Sequence, residues 1–117
     1  LSKFILSKKE FENKNYDLSK KYLNEIIKIN INETYNSLAY IKISLIHIQN
    51  KDYNNALEVL AMIEMQSSFK QIISEIKGDI YKFKGDKEKS LEFYNEAISA
   101  SAINNENLLM KKNSVEN

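Results

Sequence analysis

The 117-residue sequence has no cysteine, no proline, no tryptophan and only two glycines, and every one of its 17 cationic residues is lysine. The absence of cysteine excludes disulfides and thiolate metal sites, and is compatible with cytoplasm and periplasm alike. The absence of arginine removes bidentate clamps for phosphate or carboxylate. Without proline, and with glycine only at positions 78 and 85, long helices can run uninterrupted. The net charge is +1, without the basic excess of a nucleic-acid binder. No apolar run reaches the ~20 residues that span a bilayer, so any membrane link would run through an anchor outside these residues. No signal peptide opens the sequence, which already looks helical at Phe4. We therefore expect a trimmed domain with an anchor or signal upstream; the alternative is a complete cytoplasmic protein. The wealth of Lys, Asn and Ile reflects an AT-rich genome rather than a function.

What is present reads as helices. Phe4, Ile5 and Phe11 mark a weakly patterned first helix. Leu18, Tyr22, Leu23, Ile26 and Ile27 give the second an apolar face. Residues 34–49 are apolar almost all round, as in a helix packed on more than one side, and Asn32 or Thr34 is placed to cap it. Ala56, Leu57, Val59, Leu60, Met62 and Ile63 mark a fourth. Residues 65–68 read as a loop with Ser67 or Ser68 as a cap. Phe69, Ile72, Ile73 and Ile76 lead into the stretch GDIYKFKGDKEKSLEFYNEA, residues 78–97, which reads as helix, tight turn, helix. Leu108, Leu109 and Met110 mark a short closing helix before a polar tail.

Three segments fall into register. The small residues Ser19, Ala56 and Ser90 are separated by 37 and 34 residues. Their turns are Lys14-Asn15, Lys51-Asp52 and Gly85-Asp86, where glycine, or asparagine in the first, takes the left-handed conformation. Leu23, Leu60 and Tyr94 follow four later, and Ile26, Ile63 and Ala97 three after those. Within the preceding helices, Phe4, Tyr40 and Ser74 occupy one equivalent position, and Lys8, Ser44 and Gly78 another. The first repeat is the most degenerate. We place the extra residues of the first interval around residues 29–33.

This pattern resembles the tetratricopeptide repeat, whose period is 34. The resemblance implies an all-α, right-handed superhelix of three helical hairpins, about 2–29, 34–64 and 68–102, with a C-terminal capping helix at about 104–113. A plain antiparallel bundle is the alternative. Stacking buries the apolar face that one hairpin alone would expose.

From Leu38 onward the sequence more narrowly resembles the periplasmic part of the YfgM-like ancillary SecYEG translocon subunit family. The residues that carry this are Ala56, Leu57 and Leu60, then Glu75, Gly78 and Asp79, the Gly85-Asp86 turn, and Leu108, Leu109 and Lys112. The resemblance implies an inner-membrane anchor, a domain on the periplasmic side, and proteins as partners: translocon subunits, a periplasmic chaperone or emerging unfolded chains. A homodimer is a further expectation. The rival reading is a cytoplasmic or other envelope adaptor acting in regulation or assembly.

Nothing in the sequence marks an enzyme, a cofactor site or a metal site. His47 is the only histidine, so no relay or metal cluster can be built around it. It reads as a helix-face residue making one hydrogen bond. Glu75 and Asp79 lie four apart on one helix face. Without a cleft they read as capping groups, partners of Lys82, or solvated carboxylates. Lys87, Glu88, Lys89 and Glu92 read as a charged solvent face. Gly78 and Gly85 lack the spacing of a phosphate loop; Gly78 is expected at a close helix crossing. Tyr35, Tyr40, Phe69, Tyr81, Phe83, Phe93 and Tyr94 are spaced for a helical stack, most of them as core. Repeat proteins bind along the concave face lined by first helices. That selects Tyr40, Lys77, Tyr81 and Lys84 as lining residues, tyrosine because it joins apolar area to a polar tip. Leu108 and Leu109 are expected either to cover the end of the third hairpin or to dock a partner.

Overall fold

The computed structural model describes residues 2–64, 68–101 and 105–116, which contain seven helices and no strand. They are α1 (Ser2–Glu12), α2 (Tyr16–Ile29), α3 (Glu33–Gln49), α4 (Tyr53–Leu60), α5 (Lys70–Lys84), α6 (Lys87–Ala100) and α7 (Glu106–Glu116). Residues 65–67, with Ser67 offered above as a cap, and Asn104, the expected start of the closing helix, lie outside the described residues. The helices form two compact units, Leu1–Ile63 and Glu64–Asn117. The first holds the α1–α2 and α3–α4 hairpins, with α3 packed on both α2 and α4; the second holds the α5–α6 hairpin with α7 on α6.

Each hairpin turn is built the same way. Lys14, Lys51 and Gly85 occupy equivalent positions and all have left-handed backbones, with φ of 61°, 59° and 84°. The next residue's N–H reaches back five residues: Asn15 to the Glu10 carbonyl at 2.7 Å, Asp52 to His47 at 2.8 Å, Asp86 to Tyr81 at 2.9 Å. The left-handed residue's own N–H bonds the carbonyl three back, from Lys14 to Phe11, Lys51 to Ile48 and Gly85 to Lys82. Together these close the helix end as a Schellman motif. In the first turn Lys14, not an asparagine, takes the strained conformation. The asparagine that does so is Asn30, at φ 54°, closing α2.

The small residues face one another across each hairpin, twelve positions apart. Ser19 Oγ donates to the Ser7 carbonyl at 2.8 Å, and the two hydroxyls meet at 2.8 Å. Ser90 Oγ donates to the Gly78 carbonyl at 2.8 Å. In the middle hairpin Ala56 offers no hydroxyl, and Ser44 donates to its own helix at Ile41, 2.7 Å away. The small residue of the first repeat is therefore Ser7, which is buried, and not Lys8, which is exposed. A one-residue misregister made this repeat look more degenerate than it is. Gly78 lies at the tightest crossing. A Cβ there would fall into the Tyr94 ring, only 3.0 Å from Cγ and closer still to Cδ1 and Cε1.

Five further expectations are corrected. α4 stops at Leu60; a turn then brings Ile63 into the core while Met62 is left 68% exposed. Phe83, counted among the core-spaced aromatics, is 56% exposed. Helix α7 runs to Glu116 through the residues read as a polar tail, because Val115 is buried. The extra residues of the first interval lengthen α3, which begins eleven residues before Ser44, whereas α5 begins eight before Gly78. Asn32 caps α3 by accepting from the Tyr35 N–H at 2.9 Å. Ser68 does not cap α5, whose N-cap position is Phe69.

Candidate functional site

Three of the four proposed lining residues converge in the second unit, on the hairpin of α5 and α6. The Tyr81 and Phe93 rings stack with centroids 5.5 Å apart and planes 7° from parallel. Lys77 Nζ lies 5.5 Å from the Phe93 centroid. Lys84 and Lys89 place Nζ at 5.7 and 5.2 Å from the Tyr81 centroid. The result is a half-buried aromatic step bordered by three ammonium groups, each attracted to the negative face of a ring. Such a step offers apolar area with a cationic margin and no proton-transfer machinery.

The spacing places Phe93 with the core aromatics and Lys89 on a charged solvent face, yet Phe93 forms half of the step and Lys89 borders it. The signal for Phe93 is the twelve-residue offset that pairs Ser7 with Ser19 and Gly78 with Ser90; Tyr81 and Phe93 share it. Tyr40 belongs to α3 of the first unit, where it is half-buried, and is not part of this step.

Leu108 and Leu109 separate. Leu108 is fully buried and takes the covering role, so it has no side-chain surface to offer a partner; Leu109 is 39% exposed on α7.

The paired carboxylates of α5 are held by α7. Lys111 Nζ donates to Glu75 at 2.6 Å and to Asp79 at 3.0 Å. The Tyr94 hydroxyl donates to Asp79, and Tyr94 itself is fully buried. Lys82, suggested as the partner, instead bonds Ser114 Oγ at 2.9 Å. Burial pushes the Tyr94 phenol well above its ordinary value of 10.0, helped by the hydrogen bond to Asp79 and by the Asp79 and Glu75 charges. For Lys111, burial alone would lower the ammonium, but the hydrogen bonds and charges of Glu75 and Asp79 outweigh it and the net shift is upward. A lysine held charged and a phenol held neutral between two carboxylates form a structural tie. Neither Lys111 nor Tyr94 is poised to exchange a proton near neutrality.

His47 lies on α3 with Nδ1 3.7 Å from Asp52. Burial lowers its pKa from 6.5 and the Lys20 charge lowers it further, against an opposing pull from Asp52. Among the described residues no group of three or more His, Asp or Glu side chains could hold a metal ion. No helix among them is long and apolar enough to cross a membrane.

Comparison with known proteins agrees with this architecture. Residues 1–117 match the family described as tetratricopeptide repeat-like domain. An ancillary SecYEG translocon subunit of Buchnera aphidicola subsp. Acyrthosiphon pisum (strain APS) is 30% identical over 98 residues, 84% of this chain and 50% of that protein. A protein of the same description from Buchnera aphidicola subsp. Schizaphis graminum (strain Sg) is 33% identical over 81 residues, 69% of this chain and 41% of that protein. The chain thus matches half or less of the length of these curated relatives.

Proposed function

The chain belongs to the tetratricopeptide repeat-like domain family, and from that premise we propose that this non-catalytic protein-interaction domain serves an accessory subunit of the Sec translocon. It acts on the periplasmic side of the inner membrane. Its partners there are translocon subunits, a membrane-associated chaperone or an emerging chain. The observation that carries this reading is similarity across most of the chain to two ancillary SecYEG translocon subunits. The step of Tyr81 and Phe93 under Lys77, Lys84 and Lys89 is the surface assigned to the contact. Aromatic rings supply rigid contact area at little entropic cost, and the ammonium groups favour a partner with carboxylates beside its apolar residues.

The test is capture of purified SecYEG in nanodiscs by the purified domain. Capture is expected, and the charge reversals Lys77→Glu and Lys89→Glu together should weaken it about tenfold while the helical circular dichroism stays intact. No capture at high domain concentration would remove the translocon reading. Protease accessibility of the full-length product in spheroplasts decides the side of the membrane: digestion is expected, and protection would favour a cytoplasmic adaptor.

A further inference from the structure

The charge of this chain is unevenly spread. Residues 2–32, the α1–α2 hairpin with its link to α3, carry seven lysines and four acidic residues, a net +3; the rest, with ten lysines and twelve acidic residues, carries −2. The same segment exposes four large aliphatic side chains, Ile5, Leu6, Ile29 and Ile31, with Ile5 at 69% and Ile31 at 64%. All four lie toward the open end of the hairpin, away from the turn at Lys14. There α1 starts and α2 ends, and Lys3 Nζ reaches Glu25 at 3.0 Å between them. On its packed side α1 sets Phe4 against Tyr35 and Ser7 against Ser19. At about 100° per residue, Lys9 falls on the opposite side, between Ile5 and Leu6. Ile5, Lys8 and Lys9 line one shallow hollow with Glu12 and Asn13. Lys28 adjoins Ile29 and is exposed, as Lys8 and Lys9 are. Of the hairpin's acidic residues only Glu25 lies at this end, and Lys3 pairs with it; Glu33 follows at the start of α3. The aliphatic side chains are thus interleaved with cationic and polar residues. A protein partner asks for an apolar core depleted of charge and for matching shape. A bilayer surface asks for neither: its headgroup layer admits single aliphatic side chains, and its phosphates attract the lysines between them.

We propose that this open end is a peripheral contact for an anionic lipid bilayer. Ile5, Leu6, Ile29 and Ile31 enter the headgroup layer, and Lys8, Lys9 and Lys28 meet the lipid phosphates. The contact is made by the domain itself, apart from any anchor. It rests on the reading above only in that a translocon subunit has such a bilayer within reach.

The probe is a vesicle of phosphatidylcholine with about one third phosphatidylglycerol, mixed with the whole chain and read by co-sedimentation. Binding is expected, and vesicles of phosphatidylcholine alone should bind at least about tenfold more weakly. Lys9→Glu with Lys28→Glu should weaken binding at least about tenfold, and Ile5→Ser with Ile31→Ser about tenfold at unchanged charge. The same charge change at the closed turns, Lys14→Glu with Lys51→Glu, should cost less than about threefold. All these positions are exposed, so helical circular dichroism should not change. The chain has no tryptophan, so Ile31→Trp supplies a single reporter whose emission should shift to the blue on the vesicle, whereas that of Leu109→Trp should not. Four outcomes overturn the proposal: no binding to anionic vesicles, equal losses from reversals at the two ends, binding without a blue shift of Ile31→Trp, or self-association that depends on Ile5 and Ile31 without lipid binding. Translocon in nanodiscs of uncharged phosphatidylcholine keeps the two readings apart. Capture there with no binding of anionic vesicles would remove this contact alone, and vesicle binding without translocon capture would remove the translocon reading alone.

Discussion

Gly78 and Lys14 show opposite uses of the same chemical difference, the presence or absence of a Cβ. At Gly78 the backbone is ordinary helix, and the missing Cβ leaves room for the Tyr94 ring. Even Gly78→Ala should therefore destabilise the second unit by about 1–3 kcal/mol through overpacking, despite alanine's better helix propensity. Thermal melting checks it, and an unchanged or raised midpoint would show that Tyr94 can move aside. At Lys14 and Lys51 the surroundings are open and the backbone is the problem. A left-handed L-residue costs roughly 1–2 kcal/mol, which glycine would relieve at the cost of a more flexible unfolded chain. Lys14→Gly and Lys51→Gly should each stabilise the fold by about 0.5–1 kcal/mol net, read as a higher denaturation midpoint at unchanged slope. Gly85 already has that relief. At this scale the sequence was legible where glycine marked the geometry. It misled where lysine adopted the same geometry, because lysine carries no sequence signal for positive φ.

Helices and hairpins followed from apolar spacing because the repeat period constrains every copy at once. The contacts of α7 did not, since they depend on which helix it meets. Leu108, Leu109 and Met110 are adjacent and similar, yet only Leu108 is buried. The Glu75 and Asp79 pair was visible on α5, but its cation comes from Lys111, 36 and 32 residues away. The stacked step is half visible in the sequence: Tyr81 stands out on a first helix, while the spacing of Phe93 is that of the core aromatics and does not reveal its stacking on Tyr81. The Lys111 tie gives the element-scale prediction. Its members are partly exposed, with side-chain accessibilities of 35% for Lys111 and 26% for each carboxylate. The effect should thus fall between that of surface and buried pairs. Lys111→Met should cost about 1–2 kcal/mol. Glu75→Gln should cost less, because it keeps the Lys111–Asp79 pair, whereas Lys111→Met leaves two carboxylates facing each other without a cation. Equal losses, measured by chemical denaturation, would show that the tie adds nothing beyond packing.

For the molecule as a whole, the two units should respond to opposite ends of the pH scale. In the first unit the pKa of His47 is lowered by burial and by Lys20, more than Asp52 restores it. Below 6.5 the unfolded chain protonates this histidine before the folded chain does, so stability is full above that pH and is lost as pH falls through the folded value. In the second unit Lys111 and Tyr94 both have raised values and keep their protons in the folded state after the unfolded chain has released its own. Their contribution is complete below about 10 and declines as pH rises through the alkaline range. Residue-resolved NMR melting at pH 5, 7.5 and 10.5 should therefore show α1–α4 signals lost first on the acid side and α5–α7 signals lost first on the alkaline side. Substitution of His47→Gln should remove much of the acid sensitivity of the first unit and leave the alkaline response of the second unchanged. Tyr94→Phe should reduce the alkaline response without touching the acid one, even though it also removes a hydrogen bond and lowers stability at every pH. Loss of both units together at both extremes, unaffected by either substitution, would place the controlling charges elsewhere in the chain.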